Sequence, residues 1–433
     1  MGITVLVVGS GGREHAICWR VLRDRPDAKV YCAPGNGGIG TIATLVPIDA
    51  SAINDLLRWA KTNQPDLVIV GPEEPSALGL VDRLLAAGIR AFGPSAAAAR
   101  LEASKAWAST LLNRAGIPIP KSATFDQPED AHDYIDDRNR LVVVKADGLA
   151  FGKGVLVCSN VAEAHRAVDL LLVERHFGDA GASIVIQDRC FGPELSVFAL
   201  CAGTEFKLLG SARDYKRAYD GDIGPNTGGM GAYTPVADAQ PQLIQDVADR
   251  IIGPTLEATA NAGAPFTGIL YAGVMLTTDG PVVIEFNVRL GDPEAQVILA
   301  TSSGDLVSAI EAAIGGKLDG VDICPDGSAA VCVVLTSNGY PNGYETGHEI
   351  EGLNNLPNDA LAFHAGTETR SGSVYTAGGR VLSIVGHAAN VPSARQSAYK
   401  AARQIRFKGV HMRTDVALSE ISTALNTNGG NPQ

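Results

Sequence analysis

The feature that constrains the fold most is a regular alternation of strand-like and helix-like patterns over the first hundred residues. Short apolar runs predict strands at 3–8, 29–32, 66–70 and 89–92, and amphipathic segments predict helices between them at 13–23, 51–62 and 77–87. Strands that alternate with helices are typical of a parallel sheet with crossover helices. The sequence therefore predicts a parallel α/β domain at the amino terminus, with ligand-binding loops at the carboxyl ends of its strands.

Length and charge set further limits. The 433 residues exceed what one hydrophobic core holds and indicate about three domains. A net charge of −12 argues against a nucleic-acid-binding surface. The seven cysteines lack metal-ligand spacing, and neither a signal peptide nor an apolar run of membrane-spanning length is found. We therefore expect a cytoplasmic protein with no nucleic-acid or membrane partner.

The first loop begins like a dinucleotide-binding motif and then departs from it. Gly9 and Gly11 match the motif, but Glu14 stands at the place of its third glycine. Glycines before a helix can still hold a phosphate through free backbone N–H groups. We interpret Gly11, Gly12, Arg13 and Glu14 as a phosphate site, and a sugar phosphate is the expected ligand.

A second glycine-rich loop lies between predicted strands at 141–146 and 155–158. The first of these strands carries Lys145, and the loop contains Gly148, Gly152, Lys153 and Gly154. Backbone N–H groups of such a hairpin can close over a polyphosphate, with the lysines as point charges. The alternative is a solvated hairpin whose lysines keep it soluble.

Glu285 and Asn287 lie at alternate positions of a predicted strand at 281–287 and share one face, while Ile284 and Phe286 are expected to pack behind them. Two hard oxygen ligands on a rigid strand suit Mg²⁺, whose coordination sphere is usually completed by water and nucleotide phosphate. The alternative is an exposed, charged strand end.

Two further segments carry polar groups with binding potential. Asp214 and Lys216 precede a glycine string with Asn226, Thr227 and Gly228, which indicates a substrate loop; the alternative is a mobile surface loop. The strand predicted at 183–188 is a weaker candidate for binding an adenine ring, and Glu194 after it is a weaker candidate for binding ribose.

These segments, in this order, resemble the glycinamide ribonucleotide synthetases, a family of ATP-grasp ligases, over nearly the whole chain. The motifs that carry the resemblance are Gly11-Gly-Arg-Glu-His15, Ala33-Pro-Gly-Asn36, Lys145-Ala-Asp-Gly148, Gly224-Pro-Asn-Thr-Gly-Gly-Met-Gly231, Glu285-Phe-Asn287 and Gly291-Asp-Pro-Glu294.

The resemblance implies a multidomain α/β ATP-grasp fold. A Rossmann-like substrate-binding domain is expected at 1–104, an ATP-grasp domain at 105–327 with a mobile lid at about 121–190, and a small carboxyl-terminal α/β domain at 328–433. It also implies that ATP phosphorylates glycine and that 5-phosphoribosylamine attacks the glycyl phosphate, which yields glycinamide ribonucleotide for purine synthesis. The expected metal is Mg²⁺ or Mn²⁺, and the expected state is a monomer.

The resemblance also implies a role for each matching residue. The expected catalytic residues are Lys145, Arg289 and Asp292. The expected nucleotide-binding residues are Lys105, Lys145, Gly152, Lys153, Gly154, Gln187 and Glu194. The expected substrate residues are Gly11, Gly12, Arg13, Glu14, Asn36, Glu73, Asp214, Lys216, Asn226, Thr227, Gly228, Asp292, Pro293 and Glu294. The expected metal ligands are Glu285 and Asn287.

Three positions depart from the family pattern. Phe151 replaces a small residue in the flap, Gln187 with Asp188 replaces an acidic pair, and Tyr215 replaces a common histidine. Three other functions stay open: an ATP-grasp ligase for another substrate, an NAD-dependent oxidoreductase, and an inactive relative that only binds. The third glycine missing from the first loop argues against the oxidoreductase. Because Lys145 is present, the sequence gives no support to an inactive relative.

Overall fold

A computed structural model of the chain describes residues 2–138, 140–150 and 154–420. Its amino-terminal part contains β1 (Thr4–Gly9), α1 (Gly12–Asp24), β2 (Lys29–Pro34), β3 (Thr44–Leu45), α2 (Ile53–Asn63), β4 (Leu67–Val70), α3 (Glu73–Ala77), α4 (Leu80–Ala86) and β5 (Ala91–Phe92). The strands pair in parallel in the order β3-β2-β1-β4-β5. The predicted parallel sheet is confirmed. Because β1 and β4 are neighbours, the loops that follow them leave the sheet side by side.

The single helix predicted at 77–87 is wrong. Gly79 has a φ of +80°, a left-handed conformation that glycine adopts readily and that an α-helix cannot continue through. The segment therefore forms two helices, and the first of them begins at Glu73. This early start places Glu73 at the carboxyl edge of the parallel sheet.

The next segment forms a small antiparallel unit on two connecting helices. Its elements are α5 (Ala96–Ala103), α6 (Lys105–Arg114), β6 (Ser122–Phe125), α7 (Pro128–Arg138), β7 (Val142–Ala146), β8 (Val155–Val157), α8 (Val161–Val168) and β9 (Ile184–Asp188). The strands lie in the order β6-β9-β7-β8. Lys145 pairs with Val155 across β7 and β8, which confirms the predicted flap hairpin. We call residues 122–188 the lid module.

The remaining elements are built around one large antiparallel sheet. They are β10 (Glu194–Ala202), β11 (Glu205–Asp214), β12 (Arg217–Tyr219), β13 (Ile223–Asn226), β14 (Gly231–Thr234), α9 (Pro241–Val247), α10 (Gly253–Asn261), β15 (Thr267–Thr277), β16 (Gly280–Asn287), α11 (Glu294–Ala300), α12 (Leu306–Ile314), β17 (Ala329–Thr336), β18 (Ala360–His364), β19 (Thr367–Arg370), β20 (Ser373–Thr376), β21 (Arg380–Ala388) and α13 (Val391–Ala402). The sheet order is β16-β15-β10-β11-β14-β17-β21-β18.

This sheet crosses the domain boundary expected after residue 327. β14 pairs with β17, so strands from both sides of that boundary share backbone hydrogen bonds. Their buried side chains, among them Tyr233, Phe266 and Val331, belong to one hydrophobic core. The three-domain division stays a prediction. Within the described residues, no helix has the length and apolar character needed to cross a membrane.

Candidate active site

A cavity of about 1200 Å³ opens where the amino-terminal sheet, the lid module and the large sheet meet. Most of the residues proposed from the sequence line it. They are Arg13, Glu73, Lys105, Lys145, Gly154, Gln187, Glu194, Asp214, Lys216, Asn226, Thr227, Gly228, Glu285, Asn287, Arg289, Asp292 and Glu294. Residues separated by nearly 300 positions in the chain therefore converge on one space.

Other proposed residues lie beside the cavity or outside the described residues. Gly11, Gly12, Glu14, Asn36 and Pro293 are absent from the described wall. The amide of Asn36 donates to the carbonyls of Ser10 (2.8 Å) and His364 (2.7 Å), so it ties the loop after β2 to the loop after β1 and to β18. Direct substrate contact by these five stays a prediction. Gly152 and Lys153, with Phe151, lie outside the residues that the structure describes.

Glu14, at the place of the third glycine of a dinucleotide-binding motif, fills space beneath the first loop. Its side chain is only 2% exposed, and its carboxylate accepts from Gly11 N and from Arg13 Nε, both at 2.6 Å. A Cβ at Gly71 would lie 2.2 Å from Glu14 Oε1, and one at Gly9 would lie 2.6 Å from its side chain. The glycines thus make room for the carboxylate, which occupies the space beneath the loops.

Two lysines lie at the end of the cavity formed by the lid module. Lys145 Nζ donates to Ile284 O at 2.7 Å, and burial lowers its pKa to about 8. Lys105 Nζ donates to Gly148 O at 3.3 Å, and burial lowers its pKa too, although nearby carboxylates oppose the shift. Apolar side chains such as Leu112 line the same end, and Gln187, which is 7% exposed, adds a polar group there. A flat ring with a phosphate tail fits this combination of apolar wall and positive charge.

The two other departures from the family pattern have structural partners. Asp188, beside Gln187, is held by Arg138 through contacts of 2.7 Å and 2.5 Å. The hydroxyl of Tyr215 accepts from Ala417 N at 2.8 Å. Asp188 and Tyr215 therefore both have polar partners within the protein.

The strand with Glu285 and Asn287 contains a bulge that the sequence pattern does not reveal. Gly273 of β15 pairs with Glu285, but its neighbour Val274 pairs with Val283, so Ile284 is left without a partner across the ladder. Ile284 is only partly buried and lines the cavity, so the expectation that it packs behind the site is wrong. A bulge changes side-chain direction and frees backbone groups. The freed carbonyl is the acceptor for Lys145.

Glu285 and Asn287 both face the cavity, as expected. Burial opposes ionisation of Glu285, but the charges of Lys216 and Lys145 outweigh it and lower the pKa of the carboxyl. An ionised carboxylate with a nearby amide oxygen fits Mg²⁺, which proteins hold through one or two such oxygens plus phosphate and water. Across the described ranges, no cluster of three or more His, Cys, Asp or Glu side chains has metal-binding geometry.

Arg289 holds two carboxylates through different nitrogens of its guanidinium. Nε donates to Glu73 at 3.1 Å, while Nη2 donates to Glu102 at 2.8 Å and to Asn287 Oδ1 at 3.1 Å. Burial opposes ionisation of Glu73, yet Arg289 and Arg13 lower its pKa to about 2. Burial raises the pKa of Glu102 to about 7, even though Arg289 opposes the shift. The fork therefore fixes Asn287 next to one ionised and one titratable carboxyl.

Lys216 lies among carboxylates at the centre of the wall. Its Nζ is 2.6 Å from Glu194, 3.7 Å from Glu285 and 4.0 Å from Asp214. Burial raises the pKa of Asp214 to about 8 although Lys216 opposes the shift, and burial also raises the pKa of Glu294. Burial and the neighbouring carboxylates thus favour the protonated form of Asp214, whereas Lys216 favours the ionised form.

Arg380 joins the loop at Gly228 to the turn after β16, and sequence reasoning missed it. Its Nη1 donates to Gly228 O (2.6 Å) and Asp292 O (2.5 Å), and lies 3.5 Å from Asp292 Oδ1. Burial opposes ionisation of Asp292, but Arg380 and Arg13 lower the pKa of this carboxyl. Glu102 was missed as well. Glu102 lies near the end of α5 and Arg380 begins β21, and no local motif marks either one.

Comparisons with known proteins agree with this geometry. The family models that match are described as phosphoribosylglycinamide synthetase N domain over residues 3–102, ATP-grasp (A) domain over 103–295 and C domain over 330–419. A phosphoribosylamine–glycine ligase of Rhodopirellula baltica is 45% identical over 429 residues, which is 97% of this chain and 98% of the relative.

Solved structures give the same result. The crystal structure of a phosphoribosylamine–glycine ligase from Thermotoga maritima matches with a TM-score of 0.84 and 35% identity, over 96% of this chain and 100% of that one. A biotin carboxylase from Campylobacter jejuni matches with a TM-score of 0.74 over 95% of this chain and 93% of its own. Its identity of 14% shows a common fold alone. The predicted multidomain ATP-grasp architecture is thus confirmed.

Proposed function

Because the chain belongs to the phosphoribosylglycinamide synthetase family, we propose that the cavity is its catalytic centre. The chain is an ATP-dependent ligase that joins glycine to 5-phosphoribosylamine through a glycyl phosphate, and its products are glycinamide ribonucleotide, ADP and phosphate, in purine biosynthesis. The observation that carries the assignment of the cavity is the contact between Lys145 and the carbonyl of Ile284, because it joins the flap to the strand with Glu285 and Asn287. The lysine that would contact the triphosphate therefore lies beside the side-chain oxygens that would hold its metal ion.

The nucleotide would occupy the end formed by the lid module. Lys105 and Lys145 contact the phosphates, Gln187 accepts from the adenine amino group, and Glu194 accepts from the ribose hydroxyls. Glu194 already accepts from Lys216, so the ribose would use its other oxygen. The flap after Lys145 would keep water from the glycyl phosphate, which would otherwise hydrolyse. Of the flap residues assigned to the nucleotide, Gly154 lines the cavity, while Gly152 and Lys153 lie outside the described residues.

The metal would be Mg²⁺ or Mn²⁺, held by Glu285 and Asn287. When bound, it supplies positive charge to the phosphate oxygens and orients the triphosphate for transfer. Arg289 keeps Asn287 in place through the 3.1 Å contact. Lys145 and Arg289 remain as the chain's own cations beside the transferring phosphoryl group.

The chemistry proceeds in two steps. A glycine carboxylate oxygen attacks the γ-phosphorus, the bond to the bridging oxygen breaks, and ADP leaves. The amine of 5-phosphoribosylamine then attacks the glycyl carbon, the carbon–oxygen bond breaks, phosphate leaves, and the nitrogen loses a proton. Arg289 steadies the acyl phosphate, while Asp214, Asp292 and Glu294 place the substrates.

The amino-terminal loop would hold the sugar phosphate. Arg13 lines the cavity, and its backbone nitrogen lies 3.4 Å from Asp292 Oδ2. The amino-terminal loop is therefore in contact with the turn between β16 and α11. Glu73 and the substrate loop at Asn226, Thr227 and Gly228 complete this end. We also propose that the chain acts as a monomer, which sedimentation of the purified protein would test.

The test of this function is ADP release from Mg²⁺-ATP with glycine, with and without 5-phosphoribosylamine generated from ribose 5-phosphate and ammonia. We expect ADP formation to require both substrates and to match the amide product in amount. Failure of glycine to support turnover, with another small carboxylate active, would assign the chain a different substrate.

A further inference from the structure

Two histidines and two aspartates form a linear chain of contacts on the lid module. His132 of α7 and His165 of α8 face each other with their Nδ1 atoms 2.5 Å apart. On the far sides, His132 Nε2 is 3.1 Å from Asp169 Oδ1, and His165 Nε2 is 2.9 Å from Asp136 Oδ1. None of the four lines the catalytic cavity as described, and the proposed ligation uses none of them.

A count of protons shows what the central contact needs. An ionised carboxylate only accepts hydrogen bonds, so the contacts to Asp169 and Asp136 each require a proton on Nε2. A neutral imidazole carries one proton, and its second nitrogen is then an acceptor. Both Nδ1 atoms are therefore acceptors, and two lone pairs face each other at 2.5 Å. A cation between His132 and His165 resolves this conflict.

We propose that His132 and His165 bind a divalent transition-metal ion of the Zn²⁺ class through their Nδ1 atoms. Histidines that bind metals usually donate their other ring N–H to a carboxylate, which fixes the tautomer and the ring orientation. Asp169 and Asp136 occupy those positions here. The arrangement carboxylate–histidine–ion–histidine–carboxylate is thus complete apart from the ion and its water ligands.

The distances set the adjustment that binding requires. Zn–N bonds of about 2.0–2.1 Å at a tetrahedral angle put the two nitrogens roughly 3.3 Å apart. The rings must therefore separate by slightly less than about 1 Å. Both imidazoles are 27% exposed, which leaves room for this movement and access for water.

The surrounding charge favours a cation. Helix α7 carries acidic side chains at Glu129, Asp130, Asp133, Asp136 and Asp137, while its basic side chain in the last turn is engaged with β9. A surface of one charge raises the local concentration of the opposite ion. An ion bound here would tie α7 to α8 and so stiffen the module that holds Lys145.

The test is calorimetric titration of Zn²⁺ into the full-length, tag-free protein in excess Mg²⁺, which saturates the catalytic metal site. We expect one Zn²⁺ per chain at this site, and we expect His132→Ala and His165→Ala each to abolish it. Asp169→Asn should weaken binding by about 10- to 100-fold, because it removes only the orienting carboxylate. Co²⁺ in place of Zn²⁺ should give the visible absorption of a nitrogen-bound ion.

His176→Ala is the matched control, because His176 is an exposed histidine of the same module outside the four-residue chain. It should bind Zn²⁺ like the unaltered protein. Absence of Zn²⁺ binding would mean that the central contact holds only a proton, and this would overturn the proposal. Unchanged binding by His165→Ala would also overturn it. If an alanine variant fails to fold by circular dichroism, Asp169→Asn decides, since equal affinity contradicts the proposed orientation.

Discussion

Replacement of Arg289 by lysine tests the arginine fork most sharply. The guanidinium is 18% exposed and serves Glu73, Glu102 and Asn287 together. A lysine keeps the charge, but one ammonium cannot reproduce the planar fork. Loss of one charged hydrogen bond in a partly buried site costs about 1.5–3 kcal/mol. If the fork acts in the transition state, kcat/KM for glycine falls by about 10- to 150-fold.

The pH dependence of the variant gives a second readout. Arg289 is the strongest charge that opposes the burial-driven rise in the pKa of Glu102, which lies at about 7. Because a lysine side chain is shorter, its charge lies farther from Glu102 than the present 2.8 Å contact, so the pKa of Glu102 should rise further. The acid limb of kcat/KM, measured by ADP release from about pH 6 to about pH 9, should therefore move to higher pH.

Arg250→Lys is the matched control, because Arg250 forms an exposed pair with Asp246 away from the cavity. It should leave both the rate and the pH profile unchanged. Activity of Arg289→Lys within about threefold of the unaltered enzyme, less than about 0.7 kcal/mol, would refute the reasoning if its profile is also unmoved.

Three further substitutions probe separate parts of the site. Glu285→Gln should raise the Mg²⁺ concentration for half-maximal ADP release by about tenfold or more, equivalent to about 1.4 kcal/mol or more, with the fold intact; full turnover at limiting Mg²⁺ would contradict the metal assignment. Arg13→Ala should raise the KM for phosphoribosylamine more than that for ATP, and an unchanged value would remove the amino-terminal loop from the site. Burial raises the pKa of Glu102 from its ordinary 4.5 to about 7, so the native protein holds a proton there that the unfolded chain has lost. Stability should fall as pH rises between these values, and urea unfolding of Glu102→Gln should show a smaller fall; an identical fall would locate that titration elsewhere.

Local patterns predicted those parts of the structure that local geometry determines. The flap hairpin at Lys145 follows from strand periodicity and glycine placement, and the structure confirms its two strands. The shared face of Glu285 and Asn287 was predicted for the same reason. The bulge at Ile284 was not, because it depends on the pairing of β16 with β15 and is absent from the strand's own alternation.

The missed site residues depend on contacts between distant segments. Glu102 reaches Val288 across 186 positions, and Arg380 reaches Asp292 across 88. Their own segments look like an ordinary helix and an ordinary strand. Only the packing of α5 against β16 and of β21 against α11 brings them to the cavity, and a single sequence contains no local signal of that packing.

The most direct test of the account follows the oxygen atoms of glycine. Glycine labelled with ¹⁸O in both carboxylate positions is incubated with the enzyme, Mg²⁺-ATP and 5-phosphoribosylamine, and the products are analysed by mass spectrometry. Attack of the carboxylate on the γ-phosphorus predicts one ¹⁸O in the released phosphate and one in the amide of glycinamide ribonucleotide. Unlabelled phosphate would contradict the glycyl phosphate pathway and the roles assigned to Lys145, Glu285 and Arg289.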